Sequence, residues 1–385
     1  MMDFEFATAT RILFGPGTVK KVAPAVARMG RRVLIVTGRS PGRAQGLIDD
    51  LDALGLVHRT FQATSEPTVQ MASEAISLAR DQGVEVVVGI GGGSAIDLAK
   101  VSAAMLGNQG DLLDYLEVVG RGKVIERPSV PWVAVPTTAG TGAEVTSNAV
   151  LLVPDHGRKV SIRSPLMLAR LAVVDPELTM SLPASVTAYT GLDALTQLIE
   201  AFVSTGANPI TDGLCQQGLA VLSRSIRTAY RSGQDIAART DMALASLLSG
   251  MALSNAGLGL VHGIAGPLGG MIRAPHGAIC GRLLPYVMEA NILALARTGS
   301  NQQALQKYQQ IARLLTGKAE AEIGDSVRAV AAICQDLDIP GLAHWGLTPS
   351  SIPPIAKLSL ESSSTKSNCV QLDIGQVTEL VHKAL

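Results

Sequence analysis

Apolar positions along the chain fall into two regimes. Through about residue 174, short apolar runs alternate with stretches of helical spacing. Residues 4–14, FEFATATRILF, alternate enough to predict an opening strand, which Gly15-Pro16-Gly17 stops. RVLIVT (32–37) reads as a buried strand and is followed by helical spacing over 43–54. HRTFQ (58–62) predicts a short strand ahead of a helix over 68–82, with Pro67 near its start. VEVVVGI (84–90) is another apolar strand, leading through glycines into a helix from Ala95, and WVAVP (132–136) is a further strand. Residues 145–174 predict a β-hairpin and a return strand that ends at Asp175-Pro176. Strands alternating with helices imply a parallel sheet covered on both faces.

After Pro183 the pattern changes. Clusters of β-branched residues thin out, and 3.6-residue periodicity runs over 185–204, 210–231, 237–255, 302–316, 323–336 and 373–384. The expectation is therefore an α/β domain over residues 1–182 and an all-helical domain over 183–385. Residues 242–272 carry no Asp, Glu, Lys or Arg, a span longer than a membrane helix needs. Many glycines, Pro267, Asn255 and His262 interrupt it, so it reads as two buried helices joined near 255–259 rather than a spanning segment. LESSSTKSN (360–368) reads as an exposed loop.

Composition narrows the classes. Of 385 residues, 47% are apolar and 17% charged, enough for a large core. Lys plus Arg and Asp plus Glu both number 32, with no basic stripe or acidic tail, which argues against a nucleic-acid or anionic-membrane partner. Cys215, Cys280, Cys334 and Cys369 form no C-x-x-C pair, so neither a zinc knuckle nor a disulfide framework is expected, and a reducing cytoplasm is the default location. The N-terminal stretch has acids early and no apolar run of signal-peptide length.

Two kinds of candidate chemistry stand out. In VVVGIGGGSAIDLAK, Gly91, Gly92, Gly93 and Ser94 lie between a strand and a helix, where backbone amides and the helix dipole suit a pyrophosphate; Asp97 is expected in the helix's first turn. The stretch is neither G-x-G-x-x-G nor a Walker loop, and a tight structural turn is the plain alternative. PTTAGTGAEVT (136–146) brings Thr137, Thr138 and Thr141 to a comparable strand end, with turn and cap chemistry as the alternative. In the helical half, Asp193 and Gln197 are four apart and so stack on one helix face, while Leu195, Leu198, Ile199 and Phe202 take the other. His262 and His276 lie in Gly-rich surroundings. A carboxylate, an amide and two imidazoles are the inventory of a divalent-metal site for Zn²⁺ or Fe²⁺, against the alternative of a solvated helix face and two core histidines.

Taken in order, GIGGGSAIDLAK, PTTAGTGAEVT, DPELT, TGLDALTQLIEAFVS, NAGLGLVHGIAGPLGG and PHGAICGRLLP closely resemble the iron-containing (group III) alcohol dehydrogenases, relatives of glycerol dehydrogenase and dehydroquinate synthase. The resemblance covers the chain to about residue 290; beyond that it extends only to helices. It implies a Rossmann-like dinucleotide domain, a helical metal- and substrate-binding domain, and a cleft between them for nicotinamide and a divalent metal. It places metal ligands at Asp193, His262 and His276, also the catalytic residues, with Gln197, where the family has a third histidine, as the fourth ligand. Cofactor contacts carry over to Gly92, Gly93, Ser94, Asp97, Thr137, Thr138, Thr141 and Lys159. Gly38 stands where NAD-using relatives carry an Asp; with Arg39, Ser40 and Arg43 adjacent, NADP is favoured over NAD. Gly266 replaces a histidine credited with proton transfer, and Cys280 replaces an Asn and reads as a buried structural thiol. Relatives are commonly dimers or larger, often through the N-terminal strand, so a homodimer or larger homo-oligomer is expected.

The function this implies is an oxidoreductase moving a hydride between a nicotinamide cofactor and a small alcohol, aldehyde or ketone. Leu258, Leu260 and Ile264 are candidates for lining an apolar substrate pocket. Rival readings are a metal-free reductase resembling maleylacetate reductase, a dehydroquinate-synthase-like lyase, which would need more Lys and Arg around the site, and a dinucleotide-binding protein without activity.

Overall fold

The computed structural model describes residues 3–385. Ala7–Ser181 form one compact unit, and Leu182–Leu385 with residues 3–6 form a second. The first is built on a parallel sheet of β1 (Ile12–Phe14), β2 (Arg32–Thr37), β3 (Val57–Gln62), β4 (Val86–Gly91), β5 (Trp132–Pro136) and β8 (Leu171–Val174), ordered β1-β8-β5-β4-β2-β3. A separate antiparallel hairpin pairs β6 (Asn148–Val153) with β7 (Arg158–Arg163). The opening strand is shorter than the alternation of 4–14 suggests: only Ile12–Phe14 pair, with β8. Helices α1 (Val22–Val26), α2 (Gln45–Ala53), α3 (Val69–Asp81), α4 (Gly93–Gly107) and the single turn α5 (Leu112–Tyr115) complete the unit.

The central strands read as unbroken apolar runs because both faces are covered: β4 and β5 are buried at every residue, and only Arg32 of β2 is exposed. Val22, Val26, Leu47 and Leu51 pack with Val33, Ile35, Val86 and Val88 in one core. Chain order reverses between β2 and β4, which lie side by side. In open α/β sheets, ligands bind at the carboxyl ends of strands at such a reversal. Gly38 and Gly91 meet there: a Cβ on Gly91 would lie 3.1 Å from the Gly38 nitrogen.

The second unit contains α6 (Ala184–Val203), α7 (Pro209–Arg231), α8 (Ile236–Ala256), α9 (Leu260–Met271), α10 (His276–Thr298), α11 (Gln302–Thr316), α12 (Ile323–Asp336), α13 (Ile352–Glu361) and α14 (Ile374–Lys383). Caps explain several starts: Asn208 and Asp373 close capping boxes on α7 and α14, and Asp235 caps α8. Helices α8 and α10 are long and apolar enough to cross a membrane, yet most of each apolar window, 67% and 61%, is buried inside the protein. They are core helices of this unit.

The segment 360–368 is exposed at Glu361, Ser363 and Lys366, as its polarity suggests, but its end is packed into the fold. Asn368 is buried, its Oδ1 accepts from the Leu260 amide and its Nδ2 donates to Asn291 Oδ1. Thr365 lies so close to Gly263 that no Cβ fits between them. Thr365 Oγ1 also donates to the Ser359 carbonyl, a local bond that composition cannot distinguish from solvation.

Candidate active site

In the helical unit, α6 supplies three polar side chains at i, i+4 and i+7: Asp193, Gln197 and Glu200. All three are buried, Asp193 at 3% exposure, so the solvated-face reading does not hold. Helix α10 runs hard against α6. A Cβ on Gly277 would fall within 1.8 Å of the Tyr189 carbonyl oxygen, and one on Gly281 within 2.6 Å of Leu192 Cδ1. Glycine at these two positions permits the contact and sets His276 and Cys280, one turn apart, beside Asp193.

Glu200 fixes the remaining histidine. Its Oε1 accepts from the Val261 amide at 2.6 Å, satisfying one leading N–H of α9. Its Oε2 lies 2.6 Å from His262 Nδ1. A carboxylate on Nδ1 selects the tautomer that leaves Nε2 facing the cluster. His262 Nε2 is then 3.4 Å from Asp193 Oδ1, and His276 Nε2 is 3.7 Å from the same oxygen. Cys280 Sγ lies 3.6 Å from His276 Nε2 and 3.9 Å from His262 Nε2. One ligand atom from each of Asp193, His262, His276 and Cys280 lies within 4.8 Å of every other. Asp193 Oδ1 is buried without a hydrogen bond, the signature of an atom waiting for a partner. These donors fit a divalent ion.

Gln197 lies one turn after Asp193 on α6, but its Oε1 accepts from Ser249 Oγ at 2.7 Å. Cys280 is fully buried as expected, yet it faces two imidazoles rather than an apolar core. Burial pushes its thiol pKa up, but His276 and His262 outweigh burial and leave it lowered. Cys334 and Cys369, without such neighbours, are pushed by burial to about 12. Burial likewise disfavours the His262 cation, and Cys280, Asp193 and Glu200 overcome it, raising its pKa well above the usual value. Asp193 is held below the usual carboxylate range: burial opposes ionisation, and His262, His276 and Gln197 prevail.

Sequence reasoning missed Glu200, although its spacing from Asp193 and Gln197 in an otherwise apolar helix was a usable signal. Cys280 is legible in the sequence only as a buried structural thiol, although its place one turn after His276 was a signal of its role. Leu260 and Ile264, expected at a substrate pocket, are 1% and 0% exposed and belong to the core.

In the sheet unit, Gly92 is the N-cap of α4 and the amides of Gly93 and Ser94 lead the helix. The second loop is stitched beside it, the Thr137 amide donating to the Gly91 carbonyl at 2.8 Å. Thr138 lies against Gly92, and a Cβ on Gly93 would come within 3.0 Å of Thr141 Cγ2. Asp97 lies beyond the first turn of α4, because the helix begins at Gly93 and not at Ala95. Its Oδ2 accepts from the Val150 amide at 3.0 Å, tying the hairpin to α4. Lys159 Nζ pairs with Glu66 Oε1 at 2.6 Å. Gly38 follows β2, and Arg39 and Ser40 are exposed beyond it, with Arg39 Nε donating to the Thr64 carbonyl.

Two family models match nearly the whole chain: "Iron-containing alcohol dehydrogenase" over residues 9–176, and "Fe-containing alcohol dehydrogenase family, C-terminal" over 187–385. This chain belongs to the iron-containing alcohol dehydrogenase family. Lactaldehyde reductase of Escherichia coli K12 is 33% identical over 382 residues, covering 96% of this chain and 97% of its own. NAD-dependent methanol dehydrogenase of Bacillus methanolicus is 33% identical over 388 residues, covering 97% of each. A crystal structure of 1,3-propanediol oxidoreductase superposes with a TM-score of 0.93 at 30% identity, covering 100% of both chains. The chain is an oxidoreductase of the alcohol dehydrogenase type, and the likeness runs through the C-terminal helices as well as the motifs that end near residue 290.

Proposed function

We propose that this enzyme interconverts a small alcohol with its aldehyde or ketone, using NADP(H) and a divalent ion held by Asp193, His262 and His276. The observation that carries the metal is the buried Asp193 Oδ1, which has no hydrogen-bond partner amid two imidazole Nε2 atoms. A divalent ion there supplies a Lewis acid for the substrate oxygen. Glu200 orients His262 through Nδ1. His276, with 38% of its side chain exposed, is the most accessible member of the cluster and marks the side open to substrate. Relatives named for lactaldehyde, methanol, long-chain alcohols and sulfoacetaldehyde support the alcohol–aldehyde class.

For the dinucleotide, the Gly93 and Ser94 amides and the Thr137, Thr138 and Thr141 loop receive the pyrophosphate, with the positive end of α4 behind them. Gly38 offers no carboxylate to repel a 2′-phosphate, and the exposed Arg39 stands next to it. A homodimer fits β1 as an edge strand with β8 as its neighbour in the sheet, and four free cysteines fit the cytoplasm.

The test is a reduction assay on an aldehyde panel with NADPH and NADH, alongside metal analysis. Arg39→Ala is expected to raise the KM for NADPH about tenfold, as loss of a charge-assisted phosphate contact does, and to leave NADH almost unchanged. Equal losses with both cofactors, or a parent that prefers NADH, would overturn the NADP(H) reading. Full activity after removal of all metal would favour a metal-free reductase.

A further inference from the structure

We propose that Cys280 Sγ is the fourth protein ligand of the metal, in place of Gln197, and that the resulting Asp193–His262–His276–Cys280 site selects Zn²⁺ over Fe²⁺. The inference rests on the metal reading above and assigns the composition of that same site.

Geometry is the first ground. A tetrahedron with metal–ligand bonds of about 2.0–2.3 Å has edges of about 3.3–3.8 Å. Four edges of this cluster measure 3.4, 3.6, 3.7 and 3.9 Å. Four of the six donor–donor separations therefore already stand near those one ion would impose, and the other two lie within 4.8 Å. The three helices involved, α6, α9 and α10, fix this arrangement through Glu200 and through the close approach at Gly277 and Gly281.

The second ground is the disposition of Gln197. Its Oε1, the only atom it has for a metal, accepts from Ser249 Oγ at 2.7 Å. Gln197 thus has its oxygen committed to α8 and not to the cluster. Asp193 Oδ1 is the independent sign that something binds here: it is aimed into the cluster, 97% buried by the 3% exposure of its residue, and unpartnered.

Ligand chemistry then sets the ion. A tetrahedral set with one thiolate, two imidazoles and one carboxylate suits Zn²⁺, whereas a set without sulfur is more open to Fe²⁺. Binding displaces the thiol proton of Cys280, which passes to solvent, so the site carries the thiolate and carboxylate charges against the dication.

Cobalt(II) loaded into the full-length enzyme reports the sulfur directly. The parent is expected to show a thiolate-to-cobalt charge-transfer absorption in the near ultraviolet, retained in Gln197→Ala and lost in Cys280→Ser. X-ray absorption of the zinc-loaded parent, which needs no variant, is expected to show one sulfur at about 2.3 Å. Competition with a chelator should show zinc affinity falling by at least about 100-fold in Cys280→Ser, beyond what loss of an outer-shell partner costs. A cobalt-loaded parent that turns over alcohol without the charge-transfer band, or a band that survives Cys280→Ser, overturns the Cys280 assignment and leaves the oxidoreductase reading standing. A parent that turns over alcohol and binds no cobalt, zinc or iron overturns both the assignment and the metal reading.

Discussion

The sheet unit and the helical unit present their candidate chemistry in opposite materials. The sheet unit offers backbone amides, glycines and threonine hydroxyls from two contiguous stretches, 91–97 and 136–146. The helical unit offers four side chains from three helices, spread over positions 193 to 280. The treatment of buried charge differs in the same way. In the sheet unit Lys100 is fully buried, but Nζ donates to Thr146 Oγ1 at 2.8 Å and to the Asn148 carbonyl at 2.6 Å. Asp97 is answered by the Val150 amide. In the helical unit Asp193 Oδ1 is left open. Among the described residues, the other buried side-chain atoms without a partner are neutral, the hydroxyls of Thr8 and Thr37 and Nδ2 of Asn208; Asp193 Oδ1 is the one that belongs to a carboxylate.

The sharpest break in this contrast is expected from His276→Ala. The half-exposed imidazole contributes little to packing, so the helices should persist by far-ultraviolet circular dichroism. Metal content should collapse and turnover fall by at least about 10³-fold, more than loss of one hydrogen-bond donor costs. Retained stoichiometric metal would mean that His276 is not a ligand.

A pH titration of stability addresses the sheet unit. Burial, partly offset by Lys100, raises Glu144 from 4.5 to about 7. The folded state therefore holds that proton more tightly than the unfolded chain, and the contribution, full below pH 4.5, is lost as pH rises to about 7. Burial lowers Lys100 from 10.5 to about 8, so its cost stands in full below pH 8 and is relieved between 8 and 10.5. Both costs coincide between pH 7 and 8. Glu144→Gln is expected to flatten the decline between pH 4.5 and 7 by up to about 3 kcal/mol in denaturant unfolding. An unchanged slope would show that Glu144 is not the group responsible.

The smallest expected effect sharpens the helical side. Glu200→Gln keeps a hydrogen-bonding group near the Val261 amide but removes the charge on His262 Nδ1. Metal affinity should fall roughly 10–100-fold by chelator competition, the range for an outer-shell carboxylate. A loss as large as that of His276→Ala would instead make Glu200 a direct ligand.

By itself the sequence determined the alternation that becomes a parallel sheet, the change to helical periodicity after Pro183, and the two glycine- and threonine-rich loops at strand ends. These are local properties: strand and helix periods, turn chemistry and helix-leading amides all act within a few residues, so spacing displays them. It also singled out Asp193, His262 and His276. Tertiary structure alone decided that Glu200 orients His262, that Gln197 turns its oxygen to Ser249, that Asn368 is buried beneath α9, and that Cys280 faces imidazoles rather than apolar core. The reason is that each depends on which helix faces approach and how closely. Glycines at 277 and 281 set that approach for α6 and α10, and linear spacing does not record which surface a glycine will meet.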